Sequence, residues 1–389
     1  MYNVLLLNNI KSKELEKLDS SKYMVSAEIT DPSAIIVRSA AMHEMEFGPE
    51  LLCIGRAGAG FNNIPTDRCA DEGIVVFNAP GANSEAVKEL AVCAILLSAR
   101  DITGGVAWVK SAASQGDGLV SLVEKEKSRF IGPEISGKTL GIVGLGAIGA
   151  KLALTAIAMG MKVYGYDPYV SAEAARQLSR DITKVSELDE IYRESDFITL
   201  HVPYNRATHH LVNKESIAKM KQGVRIINLA RGDLVCDDDI LEALETSRVK
   251  CYVTDFPNNK TAGAHGVIAI PHLGASTPES EDNCVGMVCS SMIEYIENGN
   301  IVNSVNMTSA NLKRTGDPRV CIMHRNIPEM IAKITSAISS CGVNIENMIK
   351  TGSKGRGTAY TILDINEVPE GFEESINSID GVIRARVLP

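Results

Sequence analysis

"GIVGLGAIG" (141–149) decides the fold, because it places three glycines between an apolar run and the start of a helix. A glycine at 144 permits the tight turn that ends a strand, and one at 146 lets the backbone approach a pyrophosphate. The third, at 149, allows the helix to pack closely against that strand. Free N–H groups at the helix N-terminus then attract phosphates. The stretch therefore predicts a dinucleotide site at Gly144, Gly146 and Gly149.

The next apolar run, "KVYGYD" (162–167), ends at Asp167. A carboxylate at this place can accept hydrogen bonds from both ribose hydroxyls and repels a 2′-phosphate. No arginine stands immediately beside it, since Pro168 and Tyr169 follow. We therefore expect NAD rather than NADP as the cofactor. The alternative is an ordinary strand–helix turn with an incidental aspartate.

Short apolar runs alternate with helical segments along most of the chain, which indicates α/β domains with parallel sheets. Six runs between residues 139 and 270 predict a Rossmann-type doubly wound parallel sheet in a cofactor domain at 97–277. Four runs between residues 3 and 78 predict a smaller, flavodoxin-like α/β substrate domain that begins with residues 1–96.

Two long helices, expected at 84–100 and 278–297, look like two crossings of one hinge. We therefore assign 278–303 to the substrate domain and expect the active site in a cleft that closes between the two domains. A linker follows at 304–317. The order strand, helix, strand, strand, helix, strand at 318–389 then predicts a ferredoxin-like domain.

Composition limits the classes of function. A net charge of −9 provides no basic field for nucleic acid or an acidic membrane, so an anionic substrate needs local arginines. The nine cysteines include no C-x-x-C pair, which predicts reduced thiols, no metal site and a cytoplasmic protein. No stretch approaches the roughly 20 apolar residues of a membrane span.

Two side chains follow strands of the predicted cofactor sheet, where α/β sheets bind ligands. Arg231, in "INLARGDLV" (227–235), offers a planar fork that matches a carboxylate. His272, in "IPHLGAST" (270–277), can act as an acid and base near neutral pH. The alternatives are a surface arginine in a turn and a packed structural histidine.

With the glycines, these residues carry a resemblance to a known family. "GIVGLGAIG" with "YGYDP", then "HVP" (201–203), "NLARG" and "PHLGAST" occur in the order found in the D-isomer-specific 2-hydroxyacid dehydrogenases. "GRAGAGFNNI" (55–64) in the first domain is also similar, so the match covers nearly the whole chain. Within the family, the chain is similar to members that oxidise 3-phospho-D-glycerate with NAD at the start of serine biosynthesis.

The resemblance implies roles for residues. His272 takes the proton of the substrate hydroxyl, and Arg231 holds the substrate carboxylate. The positions that usually contact the dinucleotide are Gly144, Gly146, Ala147, Ile148, Gly149, Asp167, His201, Val202, Pro203, Leu229, Ala230, Asp255 and Gly274.

One departure from the family concerns the acid behind the histidine. Family members usually carry a glutamate shortly after the strand that precedes it, but here that stretch reads "DFPNNKTAG" and the position falls near Lys260. Without this acid the imidazolium is less stabilised, so keto-acid reduction is expected to stay fast only at lower pH. Glu279 or Glu281 could fill the gap in space.

A phosphorylated hydroxyacid has two anionic ends, so a second cationic site is expected. Arg38 and Arg56 lie at strand ends in the first domain, and Ala57 and Gly58 begin a loop whose N–H groups could meet a carboxylate. The alternative is a pair of exposed arginines without a ligand.

The tail resembles an ACT domain, a regulatory module that binds amino acids. His324, Asn326 and Asn344 match residues that hold serine in bacterial relatives, which implies inhibition by L-serine; the alternative is a dimerisation module without a ligand. The resemblance also implies a homodimer through the cofactor domain, with a homotetramer if the tails pair. Two other functions stay open: a dehydrogenase for glycerate, hydroxypyruvate or glyoxylate, and a non-catalytic NAD-sensing protein that binds partners.

Overall fold

The computed structural model describes residues 1–170, 179–352 and 357–389. It divides into two compact units, one formed by Met1–Asn83 with Pro278–Pro389 and the other by Ser84–Thr277. Residues 84–96, which the sequence analysis assigned to the substrate domain, thus group with the second unit. The tail belongs to the same compact unit as residues 1–83, and its separation as a domain stays a prediction.

The first sheet has five parallel strands in the order β2-β1-β3-β4-β5, which is the flavodoxin-like order. Its strands are β1 Tyr2–Leu7, β2 Tyr23–Ser26, β3 Ala34–Val37, β4 Cys53–Arg56 and β5 Val75–Phe77. A 3₁₀ helix, Lys13–Lys17, and helix α1, Thr66–Asp71, lie between them. The sequence analysis predicted four of the strands and missed β2, a four-residue edge strand.

In its described residues, the second unit, Ser84–Thr277, which we call the cofactor unit, contains seven parallel strands in the order β12-β11-β10-β9-β6-β7-β8. They are β6 Thr139–Val143, β7 Lys162–Tyr166, β8 Ile182–Lys184, β9 Phe197–Leu200, β10 Val224–Asn228, β11 Val249–Thr254 and β12 Val267–Ala269. The strand order reverses between β6 and β9, and ligands bind at such a point beyond the carboxyl ends of the strands. The predicted Rossmann-type sheet is confirmed, but the three-residue edge strand β8 was not among the six predicted runs.

Helices cover both faces of this sheet. The described helices of this unit are α2 Ser84–Ala99, α3 Ile102–Ala112, α4 Leu119–Glu126, α5 Ala147–Ala158, α6 Leu188–Glu194, α7 Lys214–Lys219 and α8 Asp237–Glu245, with 3₁₀ helices at Ala113–Gly118, Lys127–Phe130 and Gly232–Leu234. Helices α2 and α5 bury apolar side chains on one face, and α6, α7 and α8 on the other. Because both faces are covered, the central strands β6 and β9 are buried at every position.

The tail sheet is antiparallel, in the order β14-β15-β13-β16. It follows helix α9, Pro278–Asn298, and its elements are β13 Arg319–Arg325, α10 Met330–Ser340, β14 Ile345–Gly352, β15 Thr358–Ile365, α11 Phe372–Asn377 and β16 Val382–Leu388. This is the predicted ferredoxin-like order. Helices α10 and α11 cover one face, while Tyr360 and Cys321 on the other face pack with Tyr295 of α9.

The segment predicted as a linker, 304–317, makes specific contacts with the first sheet. Ser304 forms a bridge to Phe77, and the Asn306 side chain accepts a hydrogen bond from the Val76 N–H and donates one to the Ile74 carbonyl. Within the described part of the chain, no single helix is long and apolar enough to span a membrane. Two successive segments, Ser84–Ala99 and Ile102–Phe130, reach the required length and apolar character only together, and they are bent by 66° relative to each other.

Candidate active site

The glycine turn follows β6 as predicted, and two of its glycines are required by the fold. Gly144 has φ +98°, and a Cβ there would lie 2.5 Å from the His201 carbonyl oxygen. A Cβ on Gly149 would lie 1.9 Å from the Gly144 carbonyl oxygen. Gly146, just before α5, is different, because a Cβ there would meet nothing within 4 Å. The backbone at Gly146 therefore faces open space in which a ligand can approach.

Asp167 lies beside this turn at the end of β7. One carboxylate oxygen accepts a hydrogen bond from the Leu145 N–H and the other from the Tyr169 N–H, both at 2.9 Å. Each oxygen keeps a lone pair for a further donor. The carboxylate is thus held where it can receive ribose hydroxyls.

The "HVP" segment, which follows β9, also contacts the turn. The His201 N–H donates to the Val143 carbonyl at 2.8 Å, and its Nε2 lies 3.0 Å from the Thr199 hydroxyl. Its Nδ1 is buried and has no protein partner. Burial lowers the pKa of His201 to about 4, so the ring is neutral at physiological pH. His201 is therefore a neutral polar group beside the turn, with one buried ring nitrogen that lacks a protein partner.

Arg231 lies at the end of a turn that a buried asparagine shapes. The Asn228 side chain, at the end of β10, accepts a hydrogen bond from the Ala230 N–H at 3.2 Å and donates to the Arg231 carbonyl at 2.8 Å. The Tyr252 hydroxyl lies 3.3 Å from the same amide nitrogen. Arg231 itself is exposed. The sequence analysis quoted Asn228 within "NLARG" without giving it a role, although a polar residue inside a buried strand was a usable signal.

His272 and Asp255 follow the neighbouring strands β12 and β11. The His272 ring packs on the Phe256 ring with centroids 4.6 Å apart, and the Asp255 carboxylate accepts a hydrogen bond from the Gly274 N–H at 3.2 Å. The other Asp255 oxygen is buried and has no protein partner. Burial raises the pKa of Asp255, while charge on His272, the Gly274 N–H and charge on Arg231 lower it. These three side chains therefore interact electrostatically at one edge of the sheet.

The residues around Lys260 contribute no acid to the cluster of Arg231, His272 and Asp255. Lys260 forms an ion pair with Asp238 at 2.7 Å, and Asn258 accepts hydrogen bonds from the N–H groups of Lys260 and Thr261. Glu281, which the sequence analysis considered as a substitute, pairs with Arg38 at 2.5 Å in the first unit. Asp255, in contrast, interacts electrostatically with His272.

The predicted positions in the cofactor unit lie on one edge of the sheet, since each follows the carboxyl end of a parallel strand. Those not described above are Ala147 and Ile148 in the first turn of α5, Val202 and Pro203 after β9, and Leu229 after β10.

The predicted anion-binding residues in the first unit follow β3 and β4. Arg38 and Ala57 line a cavity of about 260 Å³. The Arg56 guanidinium lies against Gly58, where φ is +149° and a Cβ would overlap it. Arg38 is therefore the arginine that faces the cavity.

The tail residues predicted to hold an amino acid all have protein partners. The buried His324 ring has Nδ1 2.8 Å from the Arg325 carbonyl and Nε2 3.0 Å from the Thr361 hydroxyl. Asn326 accepts from Lys350 at 3.0 Å, and Asn344 donates to Glu346 at 2.7 Å. Burial lowers the pKa of His324 although its bond to Arg325 opposes this. Neither ring nitrogen of His324 is available to a ligand in this conformation.

Comparison with known proteins gives one matching family description. Residues 92–274 match the "D-isomer specific 2-hydroxyacid dehydrogenase, NAD binding domain". The NAD expected from Asp167 is therefore the cofactor of the matched domain.

Two relatives extend the similarity beyond that domain. D-3-phosphoglycerate dehydrogenase of Methanocaldococcus jannaschii is 33% identical over 83% of this chain and 60% of its own length. Hydroxypyruvate reductase of Thermotoga maritima is 36% identical over 70% of this chain and 86% of its own length. The chain thus spans 60% or less of the length of the first D-3-phosphoglycerate dehydrogenases that it matches.

Solved structures share the fold. Apo D-mandelate dehydrogenase of Rhodotorula graminis aligns with a TM-score of 0.66 and 26% identity over 79% of this chain and 99% of that one. NAD⁺-bound 3-phosphoglycerate dehydrogenase of Entamoeba histolytica aligns with a TM-score of 0.61 and 24% identity over 78% and 98%.

Proposed function

The chain belongs to the D-isomer-specific 2-hydroxyacid dehydrogenase family, and we propose that it oxidises 3-phospho-D-glycerate to 3-phosphohydroxypyruvate with NAD, as a D-3-phosphoglycerate dehydrogenase of serine biosynthesis. The observation that carries the proposal is the electrostatic cluster of Arg231, His272 and Asp255 on the sheet edge that also bears the glycine turn. The similarity to D-3-phosphoglycerate dehydrogenases over 83% of the chain supports this choice of substrate. The tail supports it as well, since its ferredoxin-like order suits a regulatory module.

The cofactor site is proposed at the residues that follow β6, β7, β9, β10 and β11. Gly146 leaves its backbone open toward a pyrophosphate, and Asp167 has acceptor capacity left for ribose hydroxyls. The unpartnered oxygen of Asp255 requires a donor, which a carboxamide N–H supplies. These groups fit a nicotinamide dinucleotide, which when bound accepts a hydride from C2 of the substrate.

The chain's own residues manage the proton and the charges. Arg231 presents its guanidinium fork to the substrate carboxylate, and His272 takes the hydroxyl proton at a ring nitrogen. As His272 becomes positive, Asp255 is the counter-ion that stabilises it. Asn228 positions Arg231 by holding the turn that carries it. In the first unit, Arg38, Arg56, Ala57 and Gly58 are proposed to bind the second anionic end.

The same similarity leads us to propose a homo-oligomer that works in the cytoplasm. Apolar side chains on α3 and α4 are exposed, with Val106 at 51% and Val120 at 76%, so this surface is suited to a second copy of the chain. L-Serine remains the proposed effector of the tail. Binding there requires the His324 ring to exchange its internal partners for the ligand.

The test is NADH oxidation with 3-phosphohydroxypyruvate, compared with hydroxypyruvate at equal concentration. We expect kcat/KM to be at least about tenfold higher for the phosphorylated substrate, since the added dianion gains a charged partner. His272→Asn should lower kcat about 10²- to 10⁴-fold while NADH binding is retained.

Other outcomes point to the rival functions. A preference for hydroxypyruvate would favour the second candidate, which the Thermotoga maritima relative suggests. NADH binding without turnover of either keto acid would indicate an NAD-sensing protein.

A further inference from the structure

The cavity of about 260 Å³ in the first unit contains an acid among basic groups. Lys11 and Arg38 supply positive charge to its lining, and Asn8 and Ser39 supply polar groups. Glu281, from the first turn of α9, also lines it, and its Oε1 lies 2.5 Å from Nη1 of Arg38. The carboxylate thus occupies a donor that an anionic ligand would otherwise use.

The backbone on the Arg38 side of this contact is fixed. Asn8 adopts φ +77°, and its side-chain oxygen accepts hydrogen bonds from the N–H groups of Arg38, Ser39 and Ala40 at 3.0–3.2 Å. A short side chain that accepts three N–H groups holds the turn after β3 in one conformation.

The backbone on the Glu281 side is fixed as well. The Ser12 hydroxyl donates to Asp282, the residue after Glu281, at 2.6 Å and so ties the loop after β1 to α9. The backbone segments that carry Arg38 and Glu281 are therefore held where the two side chains can pair.

We propose that Glu281 determines the anion selectivity of this cavity: it neutralises Arg38 before substrate binds and weakens the hold on a dianionic phosphate. This inference rests on the proposed function, in that the cavity receives the phosphate of the substrate. Coulomb repulsion grows with ligand charge, so Glu281 opposes a phosphate about twice as strongly as a carboxylate. Both side chains are more than 40% exposed, so solvent and salt reduce the effect to about three- to tenfold in affinity.

The test uses Glu281→Gln in the full chain. The amide oxygen can still accept the hydrogen bond from Arg38, so the variant removes the charge and keeps the contact. We expect the KM for 3-phosphohydroxypyruvate to fall about three- to tenfold. The Kd for inorganic phosphate, which calorimetry measures, should fall by a similar factor. The KM for hydroxypyruvate should change less than about twofold. Glu16→Gln, the same change at an exposed residue of this unit that does not line the cavity, should leave all three values unaltered.

Three results would overturn the inference. The KM of the Glu281→Gln variant could rise for both substrates, which would make Glu281 a positioning residue for Arg38. It could fall equally for both, or match the Glu16→Gln values. If the wild type turns over neither keto acid, the proposed function fails, and the phosphate Kd of the two variants still decides the role of Glu281.

Discussion

Replacement of Gly149 by alanine separates the structural role of the glycine turn from its binding role. The new Cβ would lie 1.9 Å from the Gly144 carbonyl oxygen, whereas ordinary contacts begin near 3.4 Å. Helix α5 and the turn must therefore move apart by about 1.5 Å. Overpacking of this kind costs about 1–3 kcal/mol of folding free energy. The displaced helix N-terminus also loses one or two hydrogen bonds to a charged phosphate, which weakens NADH binding about 10- to 1000-fold.

Gly146→Ala is the informative partner, because its Cβ meets no protein atom within 4 Å and its φ of −70° suits alanine. We expect its stability to change by less than about 1 kcal/mol, because the entropy gain of alanine opposes the loss of a favourable N-cap glycine. NADH binding should still weaken at least about tenfold, since the methyl group occupies the approach of the pyrophosphate. Gly263→Ala, at another glycine with open space around it, serves as the control for both measurements.

The assays are urea unfolding without cofactor and titration of NADH by calorimetry. Gly149→Ala should lose in both, Gly146→Ala in NADH binding alone, and Gly263→Ala in neither. Wild-type NADH affinity in the Gly146→Ala variant would refute the assignment of this turn to the cofactor. An unchanged urea midpoint in Gly149→Ala would refute the packing argument.

Three further perturbations test the electrostatics. Asp255→Asn should lower kcat at least about tenfold, because it removes the counter-ion of His272. It should also raise the Tm of the cofactor-free protein by about 2–4 °C, because burial disfavours the charged form of Asp255. A lower Tm in calorimetry would contradict this. His201 takes up a proton in the unfolded chain near pH 6.5 but in the folded chain only near pH 4, so it should remove up to about 3 kcal/mol of stability as pH falls through that window. The His201→Gln variant should not show this loss of stability when urea unfolding is compared at pH 6.5 and at about pH 4. Arg319→Met leaves a fully buried Asp364 unpaired and should cost about 3–5 kcal/mol. Arg319→Met/Asp364→Leu should recover only part of this cost, because both variants lose the hydrogen bonds from Arg319 to the carbonyls of Asn298, Leu312 and Lys313. Equal urea midpoints for the single and double variants would show that the unpaired Asp364 contributes no such penalty.

The sequence predicted the cofactor edge of the sheet well, for a physical reason. Parallel strands present their carboxyl ends at one edge, so residues that follow successive apolar runs must lie there together. Gly144, Asp167, Arg231 and His272 could be placed by this rule alone. Strand β2 escaped it, because four residues at a sheet edge carry too little periodicity to be distinguished from a loop.

Contacts between distant segments could not be predicted in the same way. Nothing in the local pattern around Glu281 indicates that it faces Arg38, since that pairing depends on how α9 packs against the first sheet. The internal partners of His324 are equally invisible, because the Thr361 hydroxyl reaches it from a neighbouring antiparallel strand. Sequence similarity assigned His324 a ligand, but the packing gives both of its ring nitrogens partners within the protein.

The glutamate that family members usually carry behind the histidine is missing here, and the packing places a different acid, Asp255, where it interacts with His272. A buried carboxylate with one unpartnered oxygen is costly to keep ionised, and Asp255 is such a group. Its charge becomes less costly whenever His272 is positive, because each charge stabilises the other. If His272 takes the substrate proton as proposed, that transfer also relieves the cost of the Asp255 charge. An acid that is fixed by the Gly274 N–H and adjacent to the ring that packs on His272 can thus favour the imidazolium without a glutamate near Lys260.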